Sequence, residues 1–355
     1  MKKKALKYHL ALGRSIDLEG IARDAQAHKC PRHVMWELSQ RLGAMIHRPG
    51  AYPILPLDRM RAKIIGRPAH WALARALSSQ LKSDDLIFCT GEDVGIPIAT
   101  LCSEERERPK IVVFIHTINR PRACLALKLF CVSDRIHLFV TSARPQADFL
   151  RRYLRRPETR IYMLPEQTDT TFFTPGPALP DKSRPMIVSV GLEKRDYRTL
   201  AEVTWDLNVD VKISAFSQDV PLLARAFPKT MPDNMSCRFY EWPELVQLYR
   251  DADLIVVNLL ESKDSAGITT LLEAMSCRRP VVITRTQGLM EYLATPGTVT
   301  SIKPGDSAGL RQAIITLLNN PQVASAQAQR GYELVLKHYN SERYIEALAT
   351  QIALL

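Results

Sequence analysis

The sequence predicts an α/β protein with two parallel sheets, one in each half of the chain. Three observations predict it. The chain has 355 residues, more than one ordinary core uses. Short apolar runs rich in β-branched residues alternate with helical segments through both halves. Between them, TPGPALPDKSRP (174–185) holds four prolines, a density no packed element tolerates, so the interdomain linker is expected there.

In the first half, Leu6 to Leu12 reads as a strand, Pro31 to Leu42 as a helix and Ala44 to His47 as a short strand. Residues 48–68 carry several prolines and are expected to be loop. Ala69 to Leu81 is helical, Asp85 to Cys89 a strand, and Gly91-Glu92-Asp93 opens a helix towards Cys102. Lys110 to Ile115 is a buried strand ending at His116, followed by helix Arg122 to Cys131. Strand Ile136 to Val140, helix Ala143 to Leu154 and strand Arg160 to Leu164 complete this half.

The second alternation begins with strand Met186 to Val190, Gly191 and the charged turn Glu193 to Asp196. Helix Tyr197 to Trp205, strand Val209 to Phe216, helix Val220 to Phe227, strand Met235 to Tyr240 and helix Pro243 to Arg250 follow. Trp36 and Trp205 are expected in the core, from their apolar neighbours at helical spacing. Trp242 is expected at a helix-entry contact or beside a nucleobase. Strand Val299 to Ile302 and three helices, Ser307 to Asn319, Pro321 to His338 and Ser341 to Leu354, end the chain.

Residues 253–293 carry the strongest functional signal. Strand Leu254 to Leu260 runs into a polar loop, Glu261 to Gly267, then helix Ile268 to Cys277, strand Pro280 to Thr284 and loop Arg285 to Gly288. Both loops follow the carboxyl ends of strands, where open parallel sheets bind ligands. The start of a helix offers unpaired N–H groups and partial positive charge to an anion, and Gly267 permits close approach. Glu273, about one and a half turns in, is placed to accept from a vicinal diol such as a ribose. The alternative is an ordinary βα unit with Glu273 solvated.

Composition excludes several classes. Apolar and charged fractions of 46% and 24% are those of a globular chain, and no apolar stretch is long enough to span a membrane. The start MKKKALKYHLALG lacks the unbroken apolar segment of a signal peptide. The seven scattered cysteines contain no C-x-x-C, which fits a reducing cytoplasm and disfavours a cysteine zinc site. Residues 1–180 hold 29 Lys and Arg against 17 Asp and Glu (+12), and residues 181–355 hold 19 against 20 (−1). The basic half implies an anionic partner: a membrane surface, an acidic or phosphorylated acceptor, or nucleic acid. Its basic clusters are KKK at the start, RPR at 120–122 and arginines 151, 152, 155 and 156. They fit anionic headgroups. RNA is disfavoured, because no aromatic platform accompanies them.

With these residues in view, the chain resembles the retaining GT-B glycosyltransferases, in particular family 4. LLEAMSCRRPVVITRTQGLMEYL resembles the donor segment LEAMAxGxPVVxTxxGGxxE, and SVGLEKRDYRTL the opening of the C-terminal domain. FYEWPELVQLYRDADLIVVN resembles the stretch in which a helix ending YxxAD precedes the donor strand. LPEQTDTTFFTP is similar to NGVDxxxFxP, which closes the N-terminal domain. The match runs from about residue 85 to 345 and is poor before it.

The resemblance implies two Rossmann-like domains with parallel sheets facing a central cleft: an acceptor domain over 1–173 and, beyond linker 174–185, a nucleotide-sugar domain over 186–338. A last helix, 339–355, would cross back to the N-terminal domain. Glu273 matches the ribose-binding glutamate; Ala266, Gly267 and Ile268 match the loop whose amides meet phosphate or sugar. Arg195, with Lys194 beside it and Gly191 before, matches the diphosphate-binding basic residue, and His116 an active-site histidine. Two departures stand out. Ser265 occupies the place of a second family glutamate, with Glu261 and Asp264 nearby but out of register, and Leu192 replaces the arginine of VGR.

Glu92 and Asp93, at a strand mouth, are candidates for acceptor hydroxyls, with helix capping as the alternative. Thr286, Gln287 and Gly288 are candidate pocket-lining residues. Asp169 is expected to fix its loop. No H-E-x-x-H or Cys/His cluster is present, and the D-A-D of Asp251 and Asp253 lies at a strand entrance, so no metal or cofactor is expected. The expected activity is transfer of a hexosyl group from a UDP- or GDP-sugar to an unidentified acceptor hydroxyl, with retention. A sugar-nucleotide epimerase and a non-catalytic nucleotide-sugar-binding protein are the alternatives. The expected location is the cytoplasm, with a peripheral place on the inner membrane face left open.

Overall fold

A computed structural model describes residues 6–102, 108–154, 159–179, 182–215 and 226–355. The N-terminal lysines, Arg155 and Arg156, and most of the helix expected over 220–227 lie outside the described residues. The chain divides into two compact units. The first comprises Met1–Ala22, His33–Pro165 and Tyr344–Leu355, and the second Arg23–Arg32 and Glu166–Arg343.

The first unit holds β1 (Lys7–Ala11), then α1 (Leu18–Gln26), whose last residues belong to the second unit, and α2 (Val34–Leu42). It continues with β2 (Met45–His47), α3 (Pro56–Ala62), α4 (Pro68–Ser78), β3 (Asp85–Cys89), α5 (Glu92–Leu101) and β4 (Lys110–Ile115). It then adds α6 (Pro121–Leu129), β5 (Leu138–Thr141), α7 (Arg144–Tyr153) and β6 (Ile161–Met163). The six strands pair in the order β2-β1-β3-β4-β5-β6, all in parallel. Runs such as KIVVFI are buried on both faces, as a helix-covered parallel sheet requires. One face packs Ile87, Val113 and Phe139 against Trp71, Leu73 and Leu77 of α4. The other packs Leu10, Phe88 and Val112 against a C-terminal helix named below.

The second unit holds β7 (Met186–Val190), α8 (Tyr197–Thr204), β8 (Asp210–Ser214), β9 (Met235–Arg238), α9 (Trp242–Asp251) and β10 (Leu254–Val257). After these come α10 (Ile268–Ser276), β11 (Val281–Thr284), β12 (Thr300–Ile302), α11 (Ser307–Asn319), α12 (Pro321–His338) and α13 (Ser341–Ala353). The strands pair in parallel in the order β12-β11-β10-β7-β8-β9. From Tyr344 onward α13 belongs to the first unit, with Leu348 and Ile352 in its core.

Three expectations change. The division between units falls at Pro165/Glu166, not in 174–185. The proline-dense stretch is held on the second unit, where Leu179 N donates to Asp251 Oδ1 at 2.8 Å and Lys182 Nζ pairs with Asp253 Oδ1 at 2.8 Å. Residues 48–68 are not all loop: Pro56 opens α3, its fixed φ and missing N–H suiting a first helical position. Trp205 is 67% exposed, because it stands just past the end of α8, beyond the buried stripe of Tyr197, Leu200, Ala201 and Thr204. Trp36 is partly buried against the first unit's core.

Candidate nucleotide-binding site

In the second unit, the chain leaves β7 towards β8 on one side and, by way of β10, towards β11 and β12 on the other. The carboxyl ends of β7 and β10 therefore flank the topological switch point, where such sheets leave a crevice for ligands. The loops leaving them are joined. Asp196 N donates to Asn258 O at 3.0 Å, Leu260 N to Lys194 O at 2.8 Å, and Asn258 Nδ2 to Asp196 O at 2.9 Å. Thr284 Oγ1 donates to Asn258 Oδ1 at 3.0 Å and accepts from Leu259 N at 3.0 Å, which ties the exit of β11 to the same point.

Gly191 turns the β7 loop at φ +95°, and a Cβ there would stand 2.8 Å from Arg195 Nη2. Arg195 folds back into that space and is buried. Its Nε donates to Val190 O at 2.8 Å, its Nη1 to Glu193 O at 2.9 Å, and its Nη2 to Thr270 Oγ1 at 2.9 Å. All three acceptors are neutral, and no ion pair to Arg195 occurs among the described residues. Lys194 is exposed and held at φ +56°, a conformation L-residues seldom adopt. A cavity of about 460 Å³ opens on this loop, lined also by Arg198, Thr199 and Leu260. Glu273 and Gly267 are not among its walls.

Helix α10 begins at Gly267, φ +87°, without a side-chain cap. Glycine is required there, since a Cβ would lie 2.9 Å from Val257 Cγ1 and 3.1 Å from Leu259 Cδ1. Ala266 and Ile268 are buried. Beside the helix start, the Ser265 and Thr286 hydroxyls are buried and have no hydrogen-bond partner among the described residues. Gly288 presses the second loop onto the first, because a Cβ on it would stand 2.0 Å from Asp264 O. Gln287 is exposed on the short 3₁₀ turn Gln287–Leu289.

Glu273 is 5% exposed and accepts from the buried Tyr249 hydroxyl at 2.7 Å. Burial raises its carboxyl to about 7, with the Tyr249 bond and the Arg195 charge opposing the rise. Only Oε2 receives that bond; Oε1 has no hydrogen-bond partner among the described residues. The second unit thus gathers Gly191, Lys194, Arg195, Ser265, Ala266, Gly267, Ile268, Glu273, Thr286 and Gln287 on loops and a helix at the carboxyl ends of β7, β10 and β11. Sequence reading missed Tyr249, Asn258 and Thr270, which hold these residues. Tyr249 is the tyrosine of the YxxAD match and Asn258 ends the same stretch, but neither was given a role, and Thr270 carried no signal.

The first unit has its own switch point, between β1 and β3. Gly13 N donates to Thr90 Oγ1 at 2.9 Å, and His70, also unflagged by sequence, reaches Gly13 O through Nε2 at 2.9 Å. His116, exposed at the end of β4, approaches Thr90 O through Nε2 at 3.0 Å. That contact places the neutral ring's proton on Nε2 and leaves Nδ1 as an acceptor. Glu92 is buried and accepts from His116 N and Thr117 N, both at 2.8 Å, and from Thr117 Oγ1 at 2.9 Å, so its carboxylate holds the His116 loop. Asp93 Oδ1 takes Val94 N at 3.0 Å. Trp242 makes edge contacts with Phe172 and Phe173, with centroids 6.5 and 6.4 Å away.

Comparison with known proteins fits this geometry. Over its full length the chain is similar to an α,α-trehalose-phosphate synthase (UDP-forming) from Burkholderia vietnamiensis (TM-score 0.73, 13% identity, 100% of both chains). It is similar to a sucrose-phosphate synthase from Thermosynechococcus elongatus (TM-score 0.71, 15% identity, 97% of this chain and 98% of that one). The fold is that of the GT-B glycosyltransferases. A third likeness is Anabaena HepE, solved with UDP and glucose (TM-score 0.69, 15% identity, 99% of this chain and 100% of that one). In sequence, residues 219–320 match the family model Glycosyl transferases group 1. A stretch of 106 residues is 30% identical to N-acetyl-alpha-D-glucosaminyl L-malate synthase of Bacillus anthracis. That match spans 30% of this chain and 27% of the relative. The GT-B match covers both units, whereas the family-model match falls within the second, on the stretch that holds α10 and Glu273.

Proposed function

We propose that this chain is a glycosyltransferase that moves a sugar from a nucleoside diphosphate sugar to an acceptor hydroxyl with retention, and that its second unit binds the donor. One observation carries the donor assignment: a buried guanidinium, Arg195, with only neutral hydrogen-bond partners, bonded to the first turn of a helix that no side chain caps, although its Ile268 N donates to Ser265 O at 3.2 Å. A buried cation is costly without a counter-charge. The protein's own acid near it is Glu273, whose carboxyl is pushed by burial towards the neutral form, so a diphosphate supplies the missing counter-charge. The α10 amides and Lys194 are assigned as further donors, so that charge growing on the departing diphosphate is met by fixed dipoles and cations.

Glu273 is assigned to the ribose through Oε1, with Tyr249 holding Oε2. Ser265 and Thr286, whose hydroxyls lack partners among the described residues, are assigned to the sugar or phosphate; Gln287 borders them. In the first unit, His116 is assigned to the acceptor side, where Nδ1 accepts from a sugar hydroxyl. Glu92 keeps that loop in place, and Asp93 flanks it. The ligands named for HepE, UDP and glucose, support a UDP-sugar as the first donor to try.

Ser265, standing where family 4 carries a glutamate, favours a second reading: a protein that binds nucleotide sugars without turning them over. Donor hydrolysis and transfer, measured with UDP- and GDP-sugars on wild type and Glu273→Ala, separates the two. Turnover that Glu273→Ala removes supports the transferase. Donor binding without hydrolysis or transfer to any acceptor tested supports the binding protein.

A further inference from the structure

The first unit turns an apolar surface outward at α3 and α6. Ile54, Leu55, Leu57 and Met60, on α3 and the loop before it, are 39–58% exposed. Leu125 and Leu129, one turn apart on α6, are 55% and 56% exposed. The two elements adjoin, since Arg122 Nη2 donates to Lys63 O at 2.6 Å, and Trp71 of α4 meets both Arg61 of α3, 5.4 Å from its ring, and Phe130 at the end of α6, tilted with centroids 5.1 Å apart. Single exposed leucines are ordinary, but six large apolar side chains on neighbouring elements mark an interaction surface.

Charge says what meets it. Stretches 54–67 and 118–131 hold four and three Lys and Arg, seven in all, against one acid, Asp58. Asp58 is buried, accepting from Leu55 N at 2.9 Å and pairing with Arg75 at 3.1 Å. The surface is therefore apolar with a net positive rim. A second copy of the chain would set that rim against itself across a two-fold axis. Protruding Leu, Ile and Met among Lys and Arg suit the boundary between lipid headgroups and acyl chains. We propose that α3 and α6 form a docking surface for an anionic lipid bilayer. This stands independently of donor chemistry. It moves membrane contact away from the arginines of α7, where Arg151 pairs with Asp148 at 2.6 Å.

Co-sedimentation of the full chain with phosphatidylcholine vesicles, with and without phosphatidylglycerol, tests it. The chain is expected to bind only the anionic vesicles and to release as salt is raised. Arg59→Glu/Lys63→Glu is expected to weaken partitioning about thirtyfold or more, since each basic residue near the surface contributes about 1 kcal/mol. Leu57→Ser/Leu125→Ser is expected to weaken it as well, while Arg151→Glu/Arg152→Glu leaves it unchanged. Wild-type melting temperatures in these variants show that the fold is kept. No binding to anionic vesicles, or binding that both the charge and the leucine variants retain, overturns the proposal. So does self-association in sedimentation velocity that Leu57→Ser/Leu125→Ser abolishes while vesicles are ignored.

Discussion

The Tyr249 hydroxyl donates to Glu273 Oε2 at 2.7 Å, and both side chains are buried. A residue of α9 thereby orients the carboxylate assigned to the ribose. Removing a donor from an ionised carboxylate costs about 1.5–3 kcal/mol, and from a neutral one about 0.5–1.5 kcal/mol. Tyr249→Phe is therefore expected to lose more stability at pH 8 than at pH 5 in urea denaturation, and to weaken nucleotide binding in titration calorimetry.

Glu273 itself sets a pH dependence. Its folded value of about 7 lies above the ordinary 4.5, so the folded state binds this proton more tightly than the unfolded state. The corresponding stability is fully present below about pH 4.5 and is lost as pH rises through about 7. Glu273→Gln removes that loss. Relative to wild type it is expected to gain stability from pH 5 to pH 8, as read by urea midpoints, while binding nucleotide more weakly.

Most of the second unit was legible because its strands are short apolar runs buried on both faces, a pattern loops do not imitate. The start of α10 was legible from Gly267 after a polar loop. Four kinds of feature were not. Helix α3 lay in a proline-rich stretch, and Pro56 marks a helix start only once its neighbours are seen to pack. Trp205 was expected inside, because spacing gives a periodicity and not the residue at which the helix ends. Arg195, expected to meet the diphosphate from a polar turn, lies folded under the loop; only the φ of Gly191 and the room it leaves explain that path. Asn258 and Tyr249 act through partners distant in sequence.

Gly288 joins two loops by contact. An alanine there places Cβ 2.0 Å from the Asp264 carbonyl, so the backbone must move. Gly288→Ala is expected to cost about 1–3 kcal/mol in denaturant unfolding and to weaken nucleotide binding. Gly305 has φ +74°, and a methyl group on it would meet nothing within 4 Å. Gly305→Ala therefore carries backbone strain alone, about 1–2 kcal/mol, with binding unchanged.

Asp169 accepts from Arg32 N at 2.8 Å, Arg32 Nε at 3.1 Å, Arg32 Nη2 at 2.8 Å and Thr171 Oγ1 at 2.7 Å. Burial would raise its carboxyl, but these bonds override it and hold the group below its ordinary 3.8. Stability from this pair is present above that value and lost as pH falls through the depressed one. Asp169→Ala removes the buried partner of Arg32, which is 28% exposed and keeps Glu342 at 2.7 Å, and is expected to cost about 1–3 kcal/mol at pH 7, with the difference shrinking in acid.

Calorimetric titration of UDP and GDP against uridine and guanosine tests most directly whether a diphosphate is held at the start of α10. The preferred nucleoside diphosphate is expected to bind at least about a hundredfold more tightly than its nucleoside, since two charge-assisted bonds contribute about 3 kcal/mol or more. Lys194→Ala is expected to erode that margin, and Glu273→Ala to weaken both ligands. Equal affinity for diphosphate and nucleoside, or tight binding untouched by either substitution, contradicts it.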